Sequence, residues 1–222
     1  MSESLIASHA LVEESRLRRL GRRLNKAWRV LATGISFSCF GLGGLIMPWI
    51  AIPILYLLPG GALEREQRAK ALIHYAFRAF VELMRGLGVL TYSVELREQL
   101  NRPGQLILAN HPSLIDVVFL IAFIKRADCV VKSSLLRNPF MRGSINVAGF
   151  IANDDPEQVI EQAAASLRRG NSLVVFPEGT RTTPGQTLSM RRGAANIALR
   201  SGGSITPVVI RCTPTTLTQD LQ

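Results

Sequence analysis

Cysteine is scarce in this chain: Cys39, Cys129 and Cys212 stand far apart among 222 residues. An odd, dispersed set excludes a disulfide framework and offers no metal-ligand spacing. The three are expected to be small buried hydrophobes of a reducing compartment, and no metal and no cofactor are expected. Aromatic residues are also few, at 6%. Neither zinc-ligand spacing nor an aromatic-rich RNA-binding motif occurs. The net charge of +10, from 26 Lys and Arg against 16 Asp and Glu, is therefore not assigned to nucleic acid. It points instead to a membrane surface or a phosphorylated ligand.

Charge itself is missing from residues 30–63. That run is longer than the roughly 20 apolar residues needed to cross a bilayer as helix. It starts late and has no small-residue cleavage site, so it is not expected to be a signal peptide. Gly41, Gly43, Gly44, Pro48 and Pro53 interrupt it, and a break near residues 43–48 would leave two short apolar helices. Arg16, Arg18, Arg19, Arg22, Arg23, Lys26 and Arg29 precede the run; Arg65, Arg68, Lys70 and Arg78 follow it. Basic flanks on both sides predict a membrane-embedded helical hairpin with both ends on the cytoplasmic side, in preference to a single span. Leu17, Leu20 and Leu24 among the arginines predict an amphipathic helix suited to an anionic lipid surface. Residues 1–61 are thus expected to be the basic helix and hairpin, and residues 62–222 a separate α/β domain.

Beyond residue 62 helical and extended patterns alternate. Leu72, Tyr75, Ala76, Ala79, Phe80, Leu83 and Leu87 recur at helical spacing, closed by Gly86 and Gly88. Leu90, Tyr92, Val94 and Leu96 alternate as in a half-buried strand. Further strands are expected over residues 105–110, 129–131, 172–176 and 205–210. Helices are expected over residues 115–125, after the Asp155-Pro156-Glu157 start signal, and over residues 192–200. Such alternation predicts an α/β fold with a mostly parallel central sheet, which binds ligands beyond the carboxyl ends of its strands.

Two segments carry chemistry. Asn110-His111-Pro112-Ser113-Leu114-Ile115-Asp116 follows the strand at 105–109. Pro112 is expected to open the next helix, with Asp116 one turn inside it, where its carboxylate can orient His111 as a general base. Phe176-Pro177-Glu178-Gly179-Thr180-Arg181 follows the strand at 172–175. Arg181 suits bidentate recognition of a phosphate or carboxylate. Glu178 can accept a hydrogen bond from an acceptor hydroxyl or brace the loop.

His111-x4-Asp116 followed by Phe176-Pro177-Glu178-Gly179-Thr180-Arg181 resembles the glycerolipid (lysophospholipid) acyltransferases, the group that includes the 1-acylglycerol-3-phosphate acyltransferases. Lys132-x2-Leu135-x3-Pro139-x3-Gly143 with Gly149-Phe150-Ile151 looks like the family's middle block. Ile205-Thr206-Pro207-Val208-Val209-Ile210 looks like its closing strand, with Pro207 near the acyl-chain side. The resemblance implies a membrane-bound enzyme of the inner, cytoplasmic membrane, its catalytic domain facing the cytoplasm. The implied donor is acyl-CoA or acyl carrier protein, and the implied acceptor a lysophospholipid, 1-acylglycerol-3-phosphate by default. His111 and Asp116 are then catalytic; Glu178, Gly179, Arg181, Lys132 and Asn153 line the acceptor site. Asn153 departs from the family, which places an arginine there to bind the acceptor phosphate. Arg181, Lys132, Arg191 or Arg192 would have to substitute for it, or the acceptor is another lipid or metabolite. A membrane-associated binding protein without turnover is the reading outside enzymes, and a hydrolase in which His111 activates water is the other chemistry.

Overall fold

The computed structural model describes residues 2–179 and 190–213, with the side chains of residues 2–17 and 140 left aside. Helix α1 (Ser2–Ile46) does not break at residues 43–48 as the glycines and proline led us to expect. It passes through a π-helical turn, Met47–Ala51, into α2 (Ile52–Leu57). Pro48 lies in the first residues of that wider turn, where its missing donor and its ring are accommodated without ending the helix. Residues Arg18–Leu57 thus form one helical run of 40 residues, long and apolar enough to cross a membrane. At 1.5 Å per residue it spans about 60 Å. Leu20, Leu24, Trp28, Leu31, Leu42, Ile46 and Trp49 on it are exposed.

The chain reverses later, after Leu58 at Pro59-Gly60-Gly61, where Gly60 has φ +127°. The Gly61 N–H donates to Glu64 Oε2 at 2.9 Å and opens α3 (Ala62–Gly86). Helix α3 returns antiparallel to α1. Phe40 packs on Phe77 and Phe80, and the Trp28 indole N–H donates to the Leu87 carbonyl at 3.0 Å. A helical hairpin is present, and its second arm is α3.

Five strands form one parallel sheet in the order β3-β2-β4-β1-β5: β1 (Leu106–Ala109), β2 (Ala127–Val131), β3 (Ile151–Ala152), β4 (Ser172–Val175) and β5 (Ile205–Val208). Alternation along each strand separates two cores. Ile107, Cys129 and Val174 face α3 and α4 (Asp116–Phe123). Leu106 and Leu173 face α6 (Pro156–Arg168) and α7 (Gly193–Ser201). The start signal of α6 is as read: the Glu157 N–H donates to the Asp155 carboxylate at 2.9 Å. Between β2 and β3 lies α5 (Pro139–Val147). Its Gly143 faces the π-helical turn, so closely that a Cβ would lie 3.0 Å from Ile52 Cδ1 and 3.6 Å from Pro48 Cβ.

The alternation at residues 90–96 does not make a strand. The segment packs against helices: Tyr92 meets Phe119 and Phe123 edge-on and donates its hydroxyl to Glu82 Oε1 at 2.7 Å. That bond, with Arg78 and Arg85 nearby, holds the Glu82 carboxyl below its usual range. Cys129 is buried as expected, and burial pushes its thiol up to about 12. Cys39, by contrast, is exposed on the apolar helix.

A buried ionic cluster ties α3 to the sheet. Lys70 Nζ lies 2.6 Å from both Glu66 Oε1 and Asp128 Oδ1, with the Lys70 and Asp128 side chains fully covered. Ser166 and Asn171 also donate to Asp128. Burial pushes the Asp128 carboxyl up, while Lys70 beside it pulls the other way.

Candidate active site

β1 and β4 are hydrogen-bonded neighbours. The chain leaves β1 toward α4 on one face of the sheet and leaves β4 toward α7 on the other. Adjacent strands whose connections part in this way open a crevice at their carboxyl ends, the usual ligand position in α/β sheets. His111 lies just past β1, and Pro177, Glu178 and Gly179 just past β4.

His111 Nδ1 is 2.9 Å from Asp116 Oδ2. The helix begins later than the sequence suggested. Pro112 does not open it; Ile115 is the N-cap, and Asp116 is the first residue of α4. The intervening residues form a turn closed by the aspartate. The Ser113 N–H donates to Asp116 Oδ2 at 2.6 Å, and the Ser113 hydroxyl donates to Oδ1. Asp116 is only 3% exposed, so its carboxylate is fixed by three partners before any substrate arrives. With the Nδ1 proton held by Asp116, Nε2 is the basic nitrogen of His111. Ser113 was not singled out from sequence; its signal is a serine three residues before an acidic residue that begins a helix.

The imidazole stacks on Phe176, which brings the two motifs into contact. Gly179 closes a turn by donating to the Phe176 carbonyl at 3.0 Å, with φ +70°. Pro177 is buried, Glu178 half-buried and Gly179 exposed. Arg181 lies outside the described residues. Asn110 clamps the chain beyond β5: its amide donates to the Ile210 carbonyl at 2.9 Å, and its Oδ1 accepts from the Ile210 N–H at 2.7 Å. Pro207 pairs in register with Leu108 on the edge strand, where a proline costs no ladder bond toward a further strand.

Lys132 and Asn153 lie on the same edge of the sheet, both exposed, just past β2 and β3. The Asn153 N–H donates to the Val131 carbonyl at 2.9 Å. Lys132 is two strands from β1 and Asn153 three. At the usual strand spacing the latter is a lateral separation of about 14 Å. The structure therefore brings His111, Asp116, Glu178 and Gly179 together and sets Lys132 and Asn153 progressively to one side.

A histidine held by a buried carboxylate at a strand-end crevice, with a glycine turn beside it, is the arrangement of a general-base site for acyl or proton transfer. The Acyltransferase family model matches residues 91–211, more than half of the chain, and the chain belongs to that family. It is 34% identical over 113 residues to a 1-acyl-sn-glycerol-3-phosphate acyltransferase of Borreliella burgdorferi, covering 47% of this chain and 44% of the relative. It is 28% identical to the enzyme of the same name from Saccharomyces cerevisiae, over 69% of this chain and 52% of the relative. The chain spans about half the length of the curated relatives it matches. It shares its fold with the crystal structure of the 1-acyl-sn-glycerophosphate (LPA) acyltransferase PlsC from Thermotoga maritima. The TM-score is 0.67, with 18% identity over 86% of this chain and 79% of that one.

Proposed function

We propose that this chain transfers a fatty acyl group from the thioester of coenzyme A or acyl carrier protein to a lysophospholipid hydroxyl, with 1-acylglycerol-3-phosphate as acceptor and phosphatidic acid as product. The observation that carries the reading is the His111–Asp116 pair, fixed by Ser113 at the β1 end and set against the β4 turn. His111 Nε2 removes the acceptor's hydroxyl proton. The oxygen adds to the thioester carbonyl carbon, the tetrahedral oxyanion collapses, and the carbon–sulfur bond breaks. The imidazolium, stabilised by Asp116, returns its proton to the departing thiolate. No covalent acyl-enzyme is required, so no nucleophilic serine or cysteine is needed.

In this reading residues 1–61 hold the protein in the inner membrane and residues 62–222 perform the chemistry on the cytoplasmic side. The antiparallel return of α3 along α1 supports placing the N-terminal arginines and the domain on one side. Glu178, Gly179, Arg181 and Lys132 line the acceptor's polar end, and Pro207 lies toward the acyl chain. Asn153 favours a second reading, the same O-acyl transfer to a lipid or metabolite without a phosphate, because it puts an uncharged side chain where the family resemblance implies an arginine. The test is a panel of acceptors with one labelled acyl thioester: 1-acylglycerol-3-phosphate, other lysophospholipids, monoacylglycerol and water alone. Labelled phosphatidic acid as the main product supports the first reading. Transfer only to uncharged alcohols supports the second, and thioester loss without acceptor indicates a hydrolase. Binding without turnover would make the chain a non-catalytic membrane-associated protein.

A further inference from the structure

Arg191 takes no part in the mechanism above, yet the fold fixes it at the β4 turn in two ways. Its main-chain N–H donates to the Pro177 carbonyl at 2.8 Å. Its guanidinium lies against Gly179, where a Cβ would be 2.9 Å from Arg191 Nε and 3.2 Å from Cζ. Gly179 is thus required twice, by its positive φ and by the room it leaves for the guanidinium. Arg191 is exposed, and among the described residues no carboxylate forms an ion pair with it. With its main chain pinned to Pro177, its guanidinium exposed over Gly179 and no carboxylate ion-paired with it among the described residues, Arg191 is suited to bidentate recognition of an anion.

Its position sets the scale of that anion. The turn from Phe176 to Gly179 is closed by a hydrogen bond, so its ends lie within about 7 Å. The His111 ring rests on the Phe176 end and the Arg191 guanidinium on the Gly179 end. A glycerol phosphate carries its hydroxyl and its phosphate on neighbouring carbons, a separation that one such turn spans. Position 153, three strands from β1, lies too far to the side for the same ligand to touch both His111 and a short side chain there.

We propose that Arg191 reads the anionic headgroup of the acceptor, gripping its phosphate over Gly179 while His111 takes the proton of the adjacent hydroxyl; this deepens the acyl-transfer reading and rests on it. The test compares the full chain in detergent micelles with Arg191→Ala, Arg191→Lys and Arg168→Ala. Arg168→Ala removes the same charge from the last turn of α6, away from this edge. Expected for Arg191→Ala is a loss of about ten- to a hundred-fold in kcat/KM on 1-acylglycerol-3-phosphate, with monoacylglycerol changed less than about two-fold. Arg191→Lys recovers part of the loss, and Arg168→Ala leaves both acceptors unchanged. Calorimetric titration with glycerol 3-phosphate supplies a readout without turnover: the native chain binds it, and Arg191→Ala weakens binding ten-fold or more. Equal loss on charged and uncharged acceptors would mean that Arg191 only braces the turn and would overturn the proposal. So would unchanged kinetics in Arg191→Ala, or a native chain that does not bind glycerol 3-phosphate. If the native chain transfers acyl groups to no acceptor, the acyl-transfer reading falls, and the titration alone decides Arg191.

Discussion

The imidazole of His111 and the ring of Phe176 stack with centroids 4.2 Å apart and 24° between their planes. The stack is the contact through which the β1 turn and the β4 turn share one geometry. An aromatic pair contributes about 0.5–1.5 kcal/mol beyond burial, enough to hold one ring orientation against its alternatives. Phe176→Leu keeps most of the apolar volume and removes the flat surface. It is expected to lower kcat about three- to ten-fold with a small fall in Tm, read by steady-state kinetics and a thermal melt. Unchanged kcat would make Phe176 a packing residue only.

His111→Ala is expected to reduce turnover by about 10²–10⁴ while the protein folds and stays membrane-bound. Asp116→Asn is expected to be severe as well, since the amide cannot stabilise the imidazolium. Ser113→Ala, which leaves the backbone bond to Asp116 intact, is expected to cost less than either. Thiol release from purified variants measures all three, and normal turnover in His111→Ala would defeat the general-base mechanism.

Asn153→Arg adds a positive charge three strands from the base. The preference for 1-acylglycerol-3-phosphate over monoacylglycerol is expected to rise only a few-fold, and to lose that gain as ionic strength rises. Paired kinetics at low and high salt decide it; an unchanged preference would mean that position 153 does not sense the acceptor.

The Lys70–Asp128 pair makes a prediction about stability. Lys70→Met strands the buried Asp128 carboxyl, and Asp128→Leu removes one of the two carboxylates paired with the buried Lys70 amine and leaves Glu66. Lys70→Met is expected to destabilise by about 3–5 kcal/mol, because the buried Asp128 charge loses its cation, and Asp128→Leu by less, because Glu66 still pairs with Lys70. The double variant removes both charges and is expected to cost less than Lys70→Met alone. Denaturant unfolding of the three variants measures the coupling; additive losses would show that the pair is not acting as a unit.

Four of the five expected short apolar runs became strands, whereas the two-residue β3 was not among the expected runs. The run at 90–96 has the same alternation, but its apolar side chains meet α3 and α4, and among the described residues no strand lies beside it. Period-two patterning reports one buried face, not a hydrogen-bonded neighbour. Residues 43–48 misled for a related reason. Glycine and proline lower helix propensity, but a π-helical turn accommodates Pro48 locally, and the reversal needs the consecutive Pro59-Gly60-Gly61. In the site, His111 and Asp116 were readable from spacing, whereas Ser113 and Phe176 act through contacts that only folding creates. The place of Arg191 is written in the missing side chain of Gly179, which no local pattern reveals.

Gly143 of α5 touches Pro48 and Ile52 in the middle of the uncharged run, and that contact works as a depth stop. α5 belongs to the connection that leaves the carboxyl end of β2, so the segment that follows that end of the sheet packs directly on the apolar helix. Wherever that helix sinks into lipid, the rim of the sheet is carried down with it, with Met141 of α5 exposed beside it. In the acyl-transfer reading, an acceptor lying in the same leaflet would meet the β1 and β4 turns by sideways diffusion, without first lifting its acyl chain into water. A bulky side chain at position 143 would wedge α5 away from the helix, and in the acyl-transfer reading a lipid substrate would then have to cross a gap of water to reach the site.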